Sequence, residues 1–295
     1  MTHKITPIFI ISMPRSGSTL LQKLLTTSND VNSISEPWIN LPLSDFFDPK
    51  VKSWYNKTIA MRAIMDVQAS IATRDLDLYR MFGQMVSSIY SILSPTDVRY
   101  FVDKTPRYYG IVPFLKKAFP SARFIYLLRS PAEVVASKIQ KNNNRVPPLK
   151  MVLLDTITAT TKIADAISES PQDLTITYHD LVRDTSNIIN KIQTFLSVTL
   201  KVDELGSIQL SGSLGDQRAK STRRIDPDIS RDWTSSVSTL LRYILFRHVI
   251  QRTPEKYFNL LNLCREEELN KLRQASIQIY KRPRFGALEM VKGLR

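Results

Sequence analysis

The pattern of apolar and polar positions near the start of the chain predicts a strand, a short loop and a helix. Residues 8–11 are apolar and rich in isoleucine, the composition of a strand buried on both faces. Small and polar residues interrupt the run after Pro14, and leucines then recur at helical spacing at positions 20, 21, 24 and 25. The backbone N–H groups at such a helix start can bind an anion.

Apolar strands and amphipathic helices continue to alternate along the chain. Strands or strand ends are predicted at 31–35, 99–108, 123–128 and 174–178. Helices are predicted near 54–70, 76–93, 111–118, from 132, 150–168, 179–196, 236–252 and 266–280. Long loops are predicted at 41–51 and 207–232. The repeated strand–loop–helix unit indicates an α/β fold with a central parallel sheet flanked by helices.

The chain shows no internal repeat and no linker of domain scale, so a single domain over residues 1–295 is expected. Helices within about 52–95 would form an insert above the sheet, where acceptor specificity is expected. Helices within about 234–295 would close the chain.

The charge balance indicates an anionic partner. Lys and Arg number 41 and Asp and Glu 27, which gives a net charge of +14. The single cysteine, Cys264, excludes an internal disulfide and fits a reducing compartment. The three histidines are scattered, so no metal site is expected. No signal peptide and no run of about 18 apolar residues are found, and a cytoplasmic protein is expected.

Two predicted strand ends combine an arginine with small hydroxyl residues. The first holds Arg15, followed by Gly17 and the hydroxyls of Ser16, Ser18 and Thr19. Glycine lets the backbone approach a ligand, and arginine supplies a planar cation. The pattern lacks the lysine of a nucleotide-hydrolysing P-loop. The second strand end holds Arg129, with Ser137 eight residues later. Two such edges suggest a ligand with phosphates at both ends.

At these motifs the chain resembles the sulfotransferases that use 3′-phosphoadenosine 5′-phosphosulfate (PAPS). Residues 14–19 resemble the family's 5′-phosphosulfate loop, and residues 129–137 its 3′-phosphate motif. Residues 178–181, Tyr-His-Asp-Leu, resemble a Tyr-Glu-Asp-Leu strand end whose tyrosine lies near the adenine, with His179 in place of the glutamate. Residues 103–107 resemble a segment of the carbohydrate and tyrosylprotein members.

The resemblance implies a P-loop-like three-layer fold and an enzyme that transfers the sulfuryl group of PAPS to an acceptor, releasing 3′-phosphoadenosine 5′-phosphate (PAP), without a metal. Arg15 and Lys104 would stabilise the sulfuryl oxygens. A basic loop from Arg218 to Arg224 would cover the 3′-phosphate. The implied donor-binding residues are Arg15, Ser16, Gly17, Ser18, Thr19, Arg129, Ser137, Tyr178, Lys220, Arg223 and Arg224.

A hydroxyl acceptor requires a general base, for which the chain offers three candidates. Glu36 is preferred because it lies 21 residues after Arg15, like the catalytic glutamate of the tyrosylprotein type. Its other interpretation is a helix cap or a surface carboxylate before Pro37. Asp103 is a second candidate or a partner for Lys104, and His179 is a third.

Alternative functions remain open at this point. A kinase-like phosphotransferase would bind a nucleoside triphosphate with magnesium, and a nucleic-acid-binding protein would interleave aromatic and basic residues. A relative that only binds nucleotide is a third alternative. The expected acceptor is a hydroxylated saccharide, glycolipid or small metabolite. The basic residues 281–295 offer a peripheral contact with an acidic membrane surface.

Overall fold

The computed structural model of the protein describes residues 4–74, 76–212, 214–222, 224–225 and 232–281. Contacts divide the chain into two compact units. The first unit comprises the described residues of 1–128 and 162–229, and the second comprises those of 129–161 and 230–295. The single domain expected from the sequence stays a prediction.

The first unit contains a five-stranded parallel sheet, as the sequence predicts. Its strands are β1 (Thr6–Ser12), β2 (Val31–Ser33), β3 (Tyr100–Asp103), β4 (Arg123–Leu128) and β5 (Leu174–Thr177). Their order across the sheet is β2-β3-β1-β4-β5. The chain first adds strands on one side of β1 and then on the other. In open α/β sheets, ligands bind beyond the carboxyl ends of the strands at such a reversal.

The described helices are numbered in chain order. They are α1 (Ser18–Leu25), α2 (Asn40–Asp45), α3 (Lys57–Ala72), α4 (Leu78–Ile92), α5 (Val112–Ala118), α6 (Pro131–Lys141), α7 (Leu149–Leu153), α8 (Ala159–Glu169), α9 (Tyr178–Arg183), α10 (Thr185–Leu196), α11 (Gln217–Lys220), α12 (Leu240–Arg252), α13 (Glu255–Leu260) and α14 (Arg265–Lys281). A π-helical turn, Leu154–Thr158, joins α7 to α8. Short 3₁₀ turns lie at Tyr108–Gly110, Val202–Gly206 and Trp233–Ser236.

Alternate residues of β1 pack into two cores on opposite faces of the sheet, because successive strand side chains point to opposite sides. Ile8 and Ile10 lie in a core with the leucines of α1 and the apolar face of α10. Phe9 contacts the rings of Phe119 and Phe124 at centroid distances of 5.1 and 5.4 Å. All of these residues are buried, and β1 therefore lies at the centre of the first unit.

Side-chain caps set several helix starts. Asn56 accepts a hydrogen bond from the backbone N–H of Ile59 at 3.1 Å, so α3 begins at residue 57 rather than near residue 54. Asp77 caps α4, which begins two residues after the predicted start at 76. Thr177 caps α9 in the same way. α3 and α4 lie within the predicted insert of about 52–95.

Three parts of the secondary-structure prediction are wrong. Residues 41–51 are not a loop throughout, because α2 forms there around the buried contacts of Asn40. The single helix predicted from 179 to 196 is divided into α9 and α10, since Asp184 has the non-helical dihedrals φ −122° and ψ 49°. α13 lies between the two helices predicted at the end of the chain.

The second unit has a core of its own, in which α12 packs against α6 and α14. Trp233 stacks on Phe246 with ring centroids 5.3 Å apart. Lys138 of α6 donates to Asp155 of the π-helical turn at 2.6 Å, which satisfies a carboxylate that is almost fully buried.

Gly83 of α4 packs directly against the backbone at the end of α5. A Cβ atom at Gly83 would lie 1.9 Å from the carbonyl oxygen of Ala118, a contact that backbone atoms cannot relieve cheaply. We expect Gly83→Ala to lower the free energy of unfolding by about 1–3 kcal/mol, measured by urea denaturation. Gly110→Ala is the matched control, because a Cβ there meets nothing within 4 Å. Equal stability of the two variants would contradict this packing.

Candidate active site

The loop between β1 and α1 forms a tight turn. The N–H of Ser16 donates to the carbonyl of Met13 at 3.3 Å, and Arg15 and Gly17 have φ values of 74° and 89°. The Ser16 hydroxyl is fully buried and finds no hydrogen-bond partner among the described residues. Ser18 and Thr19 begin α1. A buried hydroxyl, a guanidinium and the N-terminus of α1 therefore lie together, which fits an anionic ligand.

Tyr178 lies directly over this loop. A Cβ atom at Gly17 would lie 2.4 Å from the Tyr178 ring, so glycine is required both by the positive φ and by the tyrosine. Tyr178 is the first residue of α9, after the capping residue Thr177 at the end of β5. The structure thus brings two separately predicted donor-binding residues, Gly17 and Tyr178, into contact.

Glu36 and Lys104 form an ion pair in the first unit. The Lys104 ammonium donates to Glu36 Oε1 at 2.6 Å, and only 3% of the lysine side chain and 11% of the glutamate side chain are exposed. The other carboxylate oxygen, Oε2, accepts from Trp38 Nε1 at 3.2 Å. Burial lowers the pKa of Lys104, and Glu36 partly opposes that shift. Glu36 is therefore neither a helix cap nor a solvated surface carboxylate.

Asp103 is held in a different environment, at the buried end of β3. Its Oδ2 accepts from the hydroxyls of Tyr90 at 2.5 Å and Tyr108 at 2.8 Å and from the Asn40 amide at 3.1 Å. Its Oδ1 accepts from Thr105 at 3.0 Å. Burial raises the pKa of Asp103, and these donors counteract the shift. With no exposed surface, Asp103 is an internal anchor, and Glu36 rather than Asp103 is bonded to Lys104.

His179 has an open environment. Its side chain is 60% exposed, and its Nδ1 lies 3.5 Å from a carboxylate oxygen of the neighbouring Asp180. Among the described residues, His179 has no hydrogen-bond or ion-pair partner from a distant part of the sequence, whereas Glu36 has Lys104.

A basic segment, defined here as residues 211–225, packs against the residue before Glu36. The backbone N–H of Ser35 donates to the Ser211 carbonyl at 2.8 Å, and the Ser35 hydroxyl bonds the Leu214 carbonyl. Gly212 and Gly215 have φ values of 101° and 99°, and added Cβ atoms would lie 2.9 and 3.1 Å from Ser35. The Cβ atom added at Gly215 would also lie 3.7 Å from Glu36 Oε1.

The same basic segment contacts the β1–α1 loop and helix α1. Asp216 accepts from the Arg15 guanidinium at 2.9 Å. Lys23 of α1 is buried and donates to the backbone carbonyls of Lys220 and Thr222 at 2.9 and 2.5 Å. Burial lowers the pKa of Lys23. Adjacent residues of the segment thus connect Arg15 with the surroundings of Glu36.

The predicted donor-binding residues Lys220 and Arg224 of the basic segment lie in different environments. The Lys220 ammonium donates to the Gly212 carbonyl at 2.7 Å, within the segment itself. Arg224 is exposed. Arg223 lies outside the described residues.

Arg129 and Ser137 belong to the second unit. Arg129 Nε donates to Glu133 Oε2 at 2.7 Å, one turn along α6, and its carbonyl accepts from the Tyr257 hydroxyl at 3.2 Å. Ser137 is half-buried on α6. Their predicted contact with the 3′-phosphate stays a prediction.

A model of the sulfotransferase family matches residues 7–202, about two thirds of the chain. The chain belongs to the sulfotransferase family. The sulfotransferase membership predicted from the sequence is thereby confirmed, and PAPS is the donor that this family uses in general. The match gives no support to the phosphotransferase alternative. Family membership also implies an acceptor substrate.

Individual proteins are similar over part or most of the chain. The nodulation protein NoeE of Sinorhizobium fredii is 29% identical over 178 residues, which are 57% of this chain and 42% of NoeE. The sulfotransferase domain of the Synechococcus PCC 7002 olefin synthase has a TM-score of 0.50 at 23% identity, over 79% of this chain and 89% of that domain. The latter likeness supports the predicted fold.

The described residues contain neither of two other kinds of site. No described helix has both the length and the apolar character needed to cross a membrane. No group of three His, Cys, Asp or Glu side chains within the described ranges is arranged to hold a metal ion.

Sequence patterns do not point to four residues of this candidate site. They assign no role to Trp38, which follows the predicted base, or to Ser35, which precedes it. Lys23 reads as an exposed polar position between the leucines of α1, and Asp216 as a loop carboxylate. The positive charge of Lys23 on a helix with a largely buried face is a signal that could have pointed to an internal partner.

Lys23 anchors the basic segment from within α1. We expect Lys23→Met to lower the free energy of unfolding by about 1–3 kcal/mol, because it removes two hydrogen bonds from a buried ammonium to carbonyls of the basic segment. Trypsin should also cleave faster after Lys220 and Arg224, as followed by mass spectrometry. Lys191→Met removes an exposed lysine of α10 and serves as the control. Identical cleavage of both variants would show that Lys23 does not hold the segment.

Proposed function

We propose that this sulfotransferase moves the sulfuryl group of PAPS to a hydroxyl of a saccharide, glycolipid or small metabolite, with Glu36 as the general base. The observation that carries the proposal is the buried Glu36–Lys104 pair. In the basic segment, Gly215 lies beside Glu36, and the next residue, Asp216, bonds Arg15. A proton acceptor and two cations of the first unit are thereby assembled around one segment.

The donor-binding role is supported by the chemistry of the β1–α1 loop. Arg15, the unpartnered Ser16 hydroxyl and the N-terminus of α1 suit the charged end of PAPS. Tyr178 presents an aromatic ring beside the loop, consistent with a role near the adenine. Arg129 and Ser137 keep the proposed role of 3′-phosphate ligands that their motif implies.

Bound PAPS supplies an activated sulfuryl group, so the chain's own residues need only orient, stabilise charge and move one proton. Glu36 takes the proton of the acceptor hydroxyl while the acceptor oxygen forms its bond to sulfur. The bond from sulfur to the bridging oxygen breaks, and its electron pair leaves with PAP. Lys104 has three N–H donors, so it can hold Glu36 and still stabilise the departing oxygen.

The proposed setting is a reducing compartment such as the cytoplasm. Support comes from the single cysteine, Cys264, which is free and exposed. A peripheral contact of the basic residues 281–295 with an acidic surface stays a proposal, since these residues lie largely outside the described ranges.

Donor binding can be tested without knowing the acceptor. We expect isothermal titration calorimetry to show PAP binding, and Arg15→Ala to weaken it roughly 10- to 100-fold, since a hydrogen bond to a charged group is lost. Arg62→Ala, at an exposed position of α3, should bind PAP like the wild type. Binding of ATP but not of PAP would contradict the proposal.

The base can be tested with radiolabelled PAPS and a panel of hydroxylated acceptors. We expect Glu36→Gln to lower kcat by roughly 10²- to 10⁴-fold, because the amide cannot accept the proton, while PAP affinity changes less than about twofold. Glutamine retains a carbonyl for Lys104, which favours a folded variant. Glu204→Gln and His179→Asn should keep wild-type rates. Full activity of Glu36→Gln would remove Glu36 as the base.

A further inference from the structure

Trp38 holds one of the two oxygens of Glu36. The Trp38 indole donates to Oε2 at 3.2 Å while the Lys104 ammonium donates to Oε1 at 2.6 Å. Two donors from separate parts of the first unit therefore fix the rotation of one carboxylate. Pro37, between the base and the tryptophan, further restricts the backbone of Glu36 to extended conformations.

The backbone of Trp38 is in a conformation that a bulky residue rarely adopts. Its φ is 59°, in the left-handed region, where the side chain crowds the following carbonyl. Such strain persists only where surrounding contacts impose it, and it clusters at functional sites. The contact here is the Trp38 N–H, which donates to Thr105 Oγ1 at 3.2 Å.

Thr105 is in turn tied to the interior of the first unit. Its hydroxyl donates to Asp103 Oδ1 at 3.0 Å, and the other oxygen of Asp103 is fixed by Tyr90, Tyr108 and Asn40. All three of these donors are buried. A continuous set of hydrogen bonds therefore runs from a rigid internal carboxylate, through the Trp38 backbone, to the indole that contacts Glu36.

We propose that Trp38 is a positioning residue, which aims the free lone pairs of Glu36 at the acceptor hydroxyl. This inference rests on the proposed function of Glu36 as the base. A base fixed in orientation needs no reorganisation when the proton moves. In this role Trp38 acts through Glu36 and does not touch the reacting atoms.

The charged groups around Glu36 among the described residues define what the indole adds. Lys104 faces Glu36 directly, while Lys220 of the basic segment and the buried Asp103 act on Lys104. None of these groups changes when the indole is replaced by a phenyl ring. A change in kcat can then be assigned to the loss of the N–H donor.

The test compares Trp38→Phe with the wild type in the sulfuryl-transfer assay. We expect kcat to fall about 10- to 50-fold, with the KM for PAPS within about twofold of wild type. The KM for the acceptor should also stay within about twofold of wild type, because Trp38 orients the base and does not bind the acceptor. His248→Asn, at an exposed position of α12, is the control and should behave like wild type.

The outcomes separate this inference from the proposed function. Wild-type kcat in Trp38→Phe, with Glu36→Gln inactive, would overturn the positioning role and leave Glu36 as the base. A lower kcat together with a raised KM for PAPS or for the acceptor would also overturn it, because a general loss of packing explains that result. Full activity of Glu36→Gln would overturn both proposals.

A second variant covers the case in which Trp38→Phe does not fold, as judged by circular dichroism. Thr105→Val keeps the side-chain shape but removes the acceptor for the Trp38 N–H. We expect a smaller fall in kcat, about two- to fivefold, with the KM for PAPS unchanged. An unchanged kcat in this variant would overturn the inference.

Discussion

A lysine ammonium buried in the protein interior is costly unless acceptors or an anion compensate its charge, and the anion that compensates Lys104 connects the parts of the site. Lys104, just after β3, is almost completely buried, and Glu36 supplies the compensating charge. Removing either partner would leave the other as an unpaired buried charge. The segment after β2 is therefore fixed to the segment after β3, and the contacts of Trp38 and Ser35 build on that fixed point.

The parallel sheet explains why these distant parts of the sequence meet. The parallel strands end at the same edge of the sheet. The residues that follow β1, β2 and β3 are therefore neighbours, although these strands end at Ser12, Ser33 and Asp103, far apart along the chain. The basic segment completes the arrangement by contacting Arg15, Lys23 and Ser35 together. Its shape depends on Gly212 and Gly215, whose positive φ values a larger residue rarely adopts.

Periodicity and motifs predicted the sheet, the β1–α1 loop and the individual candidates Arg15, Glu36 and Lys104. They did not predict that Glu36 bonds Lys104 while Asp103 is enclosed by two tyrosines and an amide, since those contacts span up to 68 residues. The buried position of Lys23 escaped prediction for the same reason, because its acceptors lie almost 200 residues away. Local sequence patterns indicate which residues form strands and loops, whereas the tertiary fold determines which side chains bond to each other.

The position of β1 at the centre of the sheet has a consequence for biosynthesis. β1 is made first, yet its partners come late, since Thr6 pairs with Tyr100 and Ile8 with Arg123. At the usual elongation rate of roughly 5–20 residues per second, this apolar strand leaves the ribosome several seconds before either neighbour exists. During that interval its unpaired edges are exposed to other nascent chains, so the growing polypeptide should depend on chaperones that shield β1.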